Sequence, residues 1–166
     1  MRRVVMILLL AGAVVFPSAI FAQNSSSSSA VCTFTDGNQI SLRYNQAKYS
    51  AKDQPPLGKA WSPDGVRMDL FTQAALNISN TIIPAGAYSF YFIPERDAWT
   101  FVINKNVTAN APYNQQQDLA RKKMSMEKLE DAEPHLNIYF GHLAPKQCTM
   151  RVDYGKVRVV GDVMEQ

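Results

Sequence analysis

The residue types that most often carry chemistry are sparse in this sequence. Its two histidines, His135 and His142, are separated by an odd number of positions on one predicted strand. Side chains at such a spacing face opposite sides of a regular sheet. The two imidazoles therefore cannot share a metal ion there, and we expect His142 at the edge of the core. The sequence predicts no metal site and no cofactor.

The short motifs that mark familiar catalytic sites are also missing. The sequence has no Gly-x-Ser-x-Gly nucleophile turn, no His-Glu-x-x-His zinc helix, no Walker loop and no dinucleotide-binding glycine pattern. Glu95 and Asp97 could form a carboxylate pair, but they flank a predicted turn where acidic side chains are expected to be solvated. We therefore predict no catalytic residue.

The most unusual segment covers residues 55–65 and reads PPLGKAWSPDG. Its prolines stiffen the connection between two predicted strands, and loops on rigid sheets commonly carry binding residues. We predict that Trp61 is an apolar binding platform and that Lys59 and Asp64 are its polar contacts. The alternative is that Trp61 closes one end of the core.

Strands must position these side chains, because apolar and polar residues alternate along most of the chain from Val31 onward. Residues 36–44 combine an Asp-Gly-Asn turn with alternation, which is typical of a hairpin. Residues 87–93 are apolar on both faces, which favours a central strand. About nine short strands predict an all-β fold, an antiparallel β-sandwich that is jelly-roll-like or a partly closed barrel. Residues 118–130 fit either a short helix or a strand.

The amino-terminal residues have the composition of a cleavable signal peptide. A basic start (MRR) precedes an apolar run over residues 4–16, and Pro17 is followed by small residues up to Ala22. We predict cleavage between Ala22 and Gln23. An uncleaved membrane anchor is the alternative, because the apolar run could barely cross a bilayer.

The sequence therefore predicts three segments. Residues 1–22 are the signal peptide, residues 23–30 are a Ser-rich disordered tether, and residues 31–166 form a single domain. The mature protein is predicted to be extracytoplasmic, either periplasmic or secreted, with no stable membrane insertion after cleavage.

Removal of the signal peptide changes the charge balance. The full chain has 17 basic and 14 acidic residues, and the loss of Arg2 and Arg3 leaves 15 basic ones. A nearly neutral domain lacks the positive surface that nucleic-acid binding requires. We therefore expect no nucleic-acid partner.

The two cysteines lie near opposite ends of the predicted domain, and both fall on the apolar face of a strand. In an oxidising compartment such a pair is usually bonded. We predict a disulfide between Cys32 and Cys148 inside the core. Two buried free thiols are the alternative.

Ordered motifs cover most of the chain from Val31 to about Lys105. They are Cys32-Thr33-Phe34-x-Asp36-Gly37 to Tyr44, Pro56-x-Gly58-Lys59-x-Trp61, Ile83-Pro84-Ala85-Gly86-Ala87-Tyr88-Ser89, and Ile93-Pro94-x(4)-Trp99-Thr100-x-Val102-Ile103-Asn104-Lys105. These motifs resemble the secreted bacterial family called domain of unknown function 2911. The resemblance implies an exported, β-rich protein and no assigned activity.

One motif departs from the pattern of that family. After the tryptophan the family usually has Arg-x-Gly-Ala-Asn-Glu, whereas residues 62–66 here read SPDGV, so the Arg, Asn and Glu are lost. Lys59 and Trp61 match the pattern as positions. If the lost polar residues bind a ligand in relatives, this chain takes a different ligand or none.

The sequence favours an exported β-sandwich binding module for a small molecule, a glycan or an envelope protein partner. Two alternatives stay open. One is an extracytoplasmic hydrolase of an unrecognised type, and the other is a purely structural envelope domain. A cavity with converging polar groups would separate a functional site from a structural role.

Overall fold

The structure is a computed structural model that describes residues 27–166. The predicted signal peptide, its cleavage between Ala22 and Gln23, and the first part of the tether lie outside the described residues. The sequence places residues 27–30 in the tether, whereas in the structure they belong to the first strand. Backbone pairing explains the difference, because Ser27 lies opposite Asn45 in a ladder that needs no apolar side chain.

Nine strands make up the described chain, together with 3-10 turns at Pro63–Gly65 and Gln115–Gln117. The strands are β1 (Ser27–Thr33), β2 (Gln39–Asn45), β3 (Met68–Thr72), β4 (Leu76–Ile78), β5 (Thr81–Ile83), β6 (Gly86–Pro94), β7 (Ala98–Asn104), β8 (Asp118–Ala144) and β9 (Gln147–Glu165). They form one antiparallel sheet in the order β1-β2-β3-β6-β7-β8-β9-β4-β5. The all-β, antiparallel prediction is confirmed.

The short helix considered for residues 118–130 is wrong, because these residues begin the long strand β8. Trp99 lies opposite Met124 and Phe101 opposite Lys122 along the β7–β8 ladder. Ala120 and Met124 are buried on the same face. The sequence pattern suits both a helix and a strand. These residues form a strand because their backbone hydrogen-bonds to the edge of β7 that β6 leaves unpaired.

Strand β9 doubles back at Gly155, which has a positive φ of 57°. The hydroxyl of Thr149 donates to the Asp162 carboxylate at 2.8 Å, and the Glu165 amide donates to the Lys146 carbonyl at 2.8 Å. The two arms of β9 therefore lie side by side, and the sheet folds over onto one core. All nine strands contribute buried side chains to that core.

The predicted disulfide is present and lies inside this core. It joins Cys32 on β1 to Cys148 on β9, and both residues are buried. The bond connects positions 116 residues apart in the sequence.

A second, smaller apolar cluster lies on the opposite face of the central strands. Tyr91, Ile93 and Val102 are buried there, and Ala60 and Tyr113 pack against them. Two loops, residues 46–67 and 105–117, supply this cover. The prediction that residues 87–93 form a central strand is thus confirmed, since β6 lies between β3 and β7 with apolar residues on both faces. In the described part of the chain, no helix is long and apolar enough to cross a membrane.

Candidate ligand-binding cavity

The loop that carries the predicted site is fixed to the edge of β6. Strand β3 pairs with β6 only as far as Phe90, which leaves the backbone beyond it without that neighbour. The Trp61 amide donates to the Phe92 carbonyl at 2.7 Å, and the Phe92 amide donates back to the Trp61 carbonyl at 3.1 Å. Gly58 makes a further backbone bond to Pro94 at 2.8 Å. Trp61 therefore has a defined position although it lies in a loop.

The turn after Trp61 directs Asp64 outward. Asp64 has a positive φ of 54°, a conformation that Asp adopts more readily than most residues. The Gly65 amide bonds to the Ser62 carbonyl at 3.1 Å, and Pro63 is buried beneath the turn. The turn therefore holds an exposed carboxylate beside the indole.

Trp61 packs against the core and also lines a cavity. It is partly buried, and its ring contacts Trp99 at 5.8 Å and Tyr154 at 5.2 Å between centroids. The same side chain lines an open cavity of about 410 Å³. Trp61 thus closes one end of the core with one part of its surface and lines the cavity with another.

We call this space the Trp61 cavity, and its main lining residues are Lys48, Asp53, Gln54, Trp61, Asp64 and Tyr154. Burial raises the pKa of the Tyr154 hydroxyl, and the negative charges of Asp53 and Asp64 raise it further. That hydroxyl donates to the Lys48 carbonyl at 3.4 Å. The cavity therefore offers an aromatic floor with acidic groups close enough to act on it electrostatically.

Lys59 does not share this cavity. It lines a separate cavity of about 400 Å³, the Lys59 cavity, together with Ile93, Tyr113 and Arg121. Ala60 lines both cavities, so the loop forms a thin wall between them. The structure thus brings Trp61 and Asp64 together and places Lys59 on the other side of the wall.

The sequence of the chain matches one known protein family. The model of a family described as a protein of unknown function, DUF2911, matches residues 25–163. The chain belongs to the DUF2911 family. No curated protein and no solved structure gives a significant match to this chain.

The DUF2911 match extends beyond the motifs found in the sequence, which ended near Lys105. It includes β8 and β9 up to residue 163, and so it includes Tyr154. Tyr154 and Asp53 line the Trp61 cavity, although the sequence does not predict them as site residues. No local pattern marks either one, because only the doubling back of β9 and the path of the 46–67 loop bring them to Trp61.

The histidines of this DUF2911 chain line neither the Trp61 cavity nor the Lys59 cavity. His135 is half-buried and pairs through its backbone with Lys48, whereas His142 is exposed. His142 lies opposite the buried Cys148 near the end of β8, as expected for the edge of the core, but its side chain is exposed and not covered. Among residues 27–166 there is no group of three or more His, Cys, Asp or Glu side chains that could hold a metal ion.

Proposed function

We propose that this chain is an exported binding module and that the Trp61 cavity takes a small polyhydroxylated ligand such as a glycan unit. The observation that carries the proposal is the pairing of an aromatic floor, Trp61 and Tyr154, with the carboxylates of Asp53 and Asp64 at one open cavity. The signal-like start of the sequence and the Cys32–Cys148 disulfide support export.

The ligand class follows from the chemistry of the lining groups. A sugar ring has an apolar C–H face that can pack on an aromatic side chain, and its hydroxyls can donate to carboxylates. Asp53 and Asp64 are acceptors, whereas Lys48 and Gln54 can donate. A volume of about 410 Å³ lies within the range of small-molecule sites.

The fixed backbone of the loop favours binding for a second reason. The backbone of Trp61 donates one hydrogen bond to Phe92 and accepts another from it. Trp61 therefore loses little conformational entropy when a ligand binds. Pro56 and Pro63 restrict the same segment. The site is therefore organised before the ligand arrives.

Binding can be tested by tryptophan fluorescence, since the chain has two tryptophans and Trp61 lines the cavity. We expect a saturable change with at least one of the malto-, cello- or chito-oligosaccharide series. Asp64→Asn should weaken this binding roughly tenfold, because one charge-assisted hydrogen bond is lost. Asn tolerates the positive φ of this position, so the fold should be kept.

Asp97→Asn is the matched control, because Asp97 is an exposed carboxylate in the β6–β7 turn and does not line the cavity. Its affinity should equal that of the wild type. Trp61→Ala is a poorer variant, since it removes core packing and the platform together. Equal affinity in the Asp64→Asn protein, or no saturable signal with any series, would reject the proposed site. Shortened oligosaccharides in the wild-type mixtures would instead identify a hydrolase.

A further inference from the structure

The Lys59 cavity lies over the face of β6 and β7 that points away from the main core. The outward face of β6 and β7 carries Tyr91, Ile93 and Val102, all of them buried. The main core lies on the other face, so these residues are not needed to close it. The loops that cover them leave an open cavity of about 400 Å³ between Lys59 on one loop and Tyr113 on the other.

Arg121 is held at the border of this cavity by a partly buried polar network. Its Nε and Nη2 donate to the Oδ2 of Asp118 at 2.9 and 2.6 Å, and Nη2 also donates to the Tyr113 hydroxyl at 3.0 Å. The amide of the buried Asn104 donates to Oδ1 of Asp118 at 2.8 Å. Both Asp118 oxygens are therefore occupied, and the orientation of the guanidinium is set.

Tyr113 strengthens this arrangement. Burial, together with the hydrogen bond to Asp118, raises the pKa of its hydroxyl to about 12. The hydroxyl stays protonated at any physiological pH and donates to Asp118 at 2.7 Å. The Tyr113 hydroxyl therefore stays available to accept from Arg121 at physiological pH.

The charges that face the cavity are mainly positive. The Asp118 side chain is only 9 % exposed, whereas the Arg121 side chain is 39 % exposed. Lys59 lines the cavity as a second cation, and Glu95 is the carboxylate that lines it. Lys123 lies opposite Thr100 on the same face of the sheet and adds a positive charge nearby.

We propose that the Lys59 cavity is a second binding site, for a small organic anion, and that Lys59 and Arg121 hold its carboxylate or phosphate group. Arg121 has an Nη1 donor outside the network with Asp118 and Tyr113, and Lys59 supplies a mobile ammonium. Thr100 and Gln115 offer neutral donors. The apolar floor of Ile93 accommodates the carbon skeleton of the ligand.

An NMR titration of the mature protein with succinate and with inorganic phosphate tests this site. We expect saturable shifts of the Thr100 and Gln115 amides with at least one of the two anions. Succinate alone would identify an organic acid, and phosphate alone would identify a phosphorylated ligand. Lys59→Gln and Arg121→Gln should each weaken binding roughly tenfold or more, as expected for the loss of a charge-assisted hydrogen bond.

Lys128→Gln is the control, because Lys128 is exposed on β8 and does not line the cavity. Arg121→Gln removes the partner of the buried Asp118, so the protein could lose stability, and Lys59→Gln keeps the test valid in that case. The proposal is overturned if neither anion gives saturable shifts, or if Lys59→Gln binds as tightly as Lys128→Gln. The anion site does not depend on the Trp61 cavity. A failure to bind oligosaccharides there would therefore leave the expected anion binding unchanged.

Discussion

At the scale of single residues, the aromatic contacts around Tyr154 link the core to the proposed ligand site. Tyr154 contacts Trp61 on one side and Tyr49 on the other, with ring centroids 5.2 and 5.4 Å apart. Trp61 in turn contacts Trp99 in the core. Any change that moves Tyr49 should therefore alter the cavity floor through Tyr154.

Gly155 is the position where this packing is most sensitive. Its φ of 57° disfavours residues with a side chain, and a Cβ atom there would overlap the Tyr49 ring. We expect Gly155→Ala to lower the free energy of unfolding by about 2–4 kcal/mol, from overpacking and the left-handed backbone together. Urea unfolding at constant slope measures the change.

Gly141→Ala provides the comparison, since a Cβ at Gly141 would meet no atom within 4 Å. That variant should stay within about 0.5 kcal/mol of the wild type. Equal midpoints for the two variants would show that Tyr49 can move away from Gly155 without cost.

At the scale of elements, an ion-pair cluster connects β2 and β3 on the outward face. Asp69 on β3 accepts from Arg43 on β2 at 2.9 Å and from Arg67, just before β3, at 2.6 Å. Partial burial would raise the pKa of the Asp69 carboxyl, but the hydrogen bonds from both arginines outweigh this effect. They hold the pKa below its ordinary value of 3.8.

This lowered pKa predicts how stability depends on pH. The carboxylate stabilises the fold above pH 3.8, and the contribution is lost as the pH falls through the lower pKa of the folded state. Asp69→Asn should therefore be less stable than the wild type at neutral pH, and the gap should narrow below pH 3.8. Urea unfolding over a pH series measures it, with the exposed Asp97→Asn as the control. A gap that is constant with pH would contradict the assigned cause.

The sequence predicts some elements well because one physical rule dominates them. Alternation defines β2 from Ile40 to Tyr44, and two apolar faces identify β6 as central. The start of β8 is harder, because Leu119, Met126 and Leu129 suit a helix while the actual structure depends on the free edge of β7. Local pattern could not decide between them.

The local sequence likewise predicts only some residues of the candidate site. The sequence predicts Trp61 and Asp64 as site residues because they lie in a proline-rich loop with a tryptophan. Lys59 is close to them in the chain but lines a different cavity, because Ala60 lies in the wall between the two cavities. Tyr154 comes from the far end of the chain, and only the turn at Gly155 brings it to the site.

At the scale of the whole molecule, the disulfide connects the first strand to the doubled last strand. Because it spans 116 residues, the loop-entropy model gives a stabilisation of about 4–5 kcal/mol. The double variant Cys32→Ala/Cys148→Ala should lose about that much free energy of unfolding. A loss below about 1 kcal/mol would contradict this role for the bond.

The same bond and the predicted export can be measured together. The intact mass of protein recovered from the periplasm or medium should correspond to Gln23–Gln166 with two hydrogens fewer than the reduced form. A product that keeps Met1, or two cysteines that alkylate freely in the native protein, would contradict the proposed maturation.

The most direct test of the proposed function is to map where an oligosaccharide binds. Isotope-labelled mature protein would be titrated with the malto-, cello- and chito-oligosaccharide series while the backbone amides and indole N–H groups are followed by NMR. We expect saturable shifts at the Trp61 indole and at the amides of Asp53, Asp64 and Tyr154, all of which line the Trp61 cavity. The amides of Phe71 and Tyr139, exposed aromatic residues that do not line this cavity, should not shift. Saturable shifts confined to those other residues, or none with any series, would contradict the proposal.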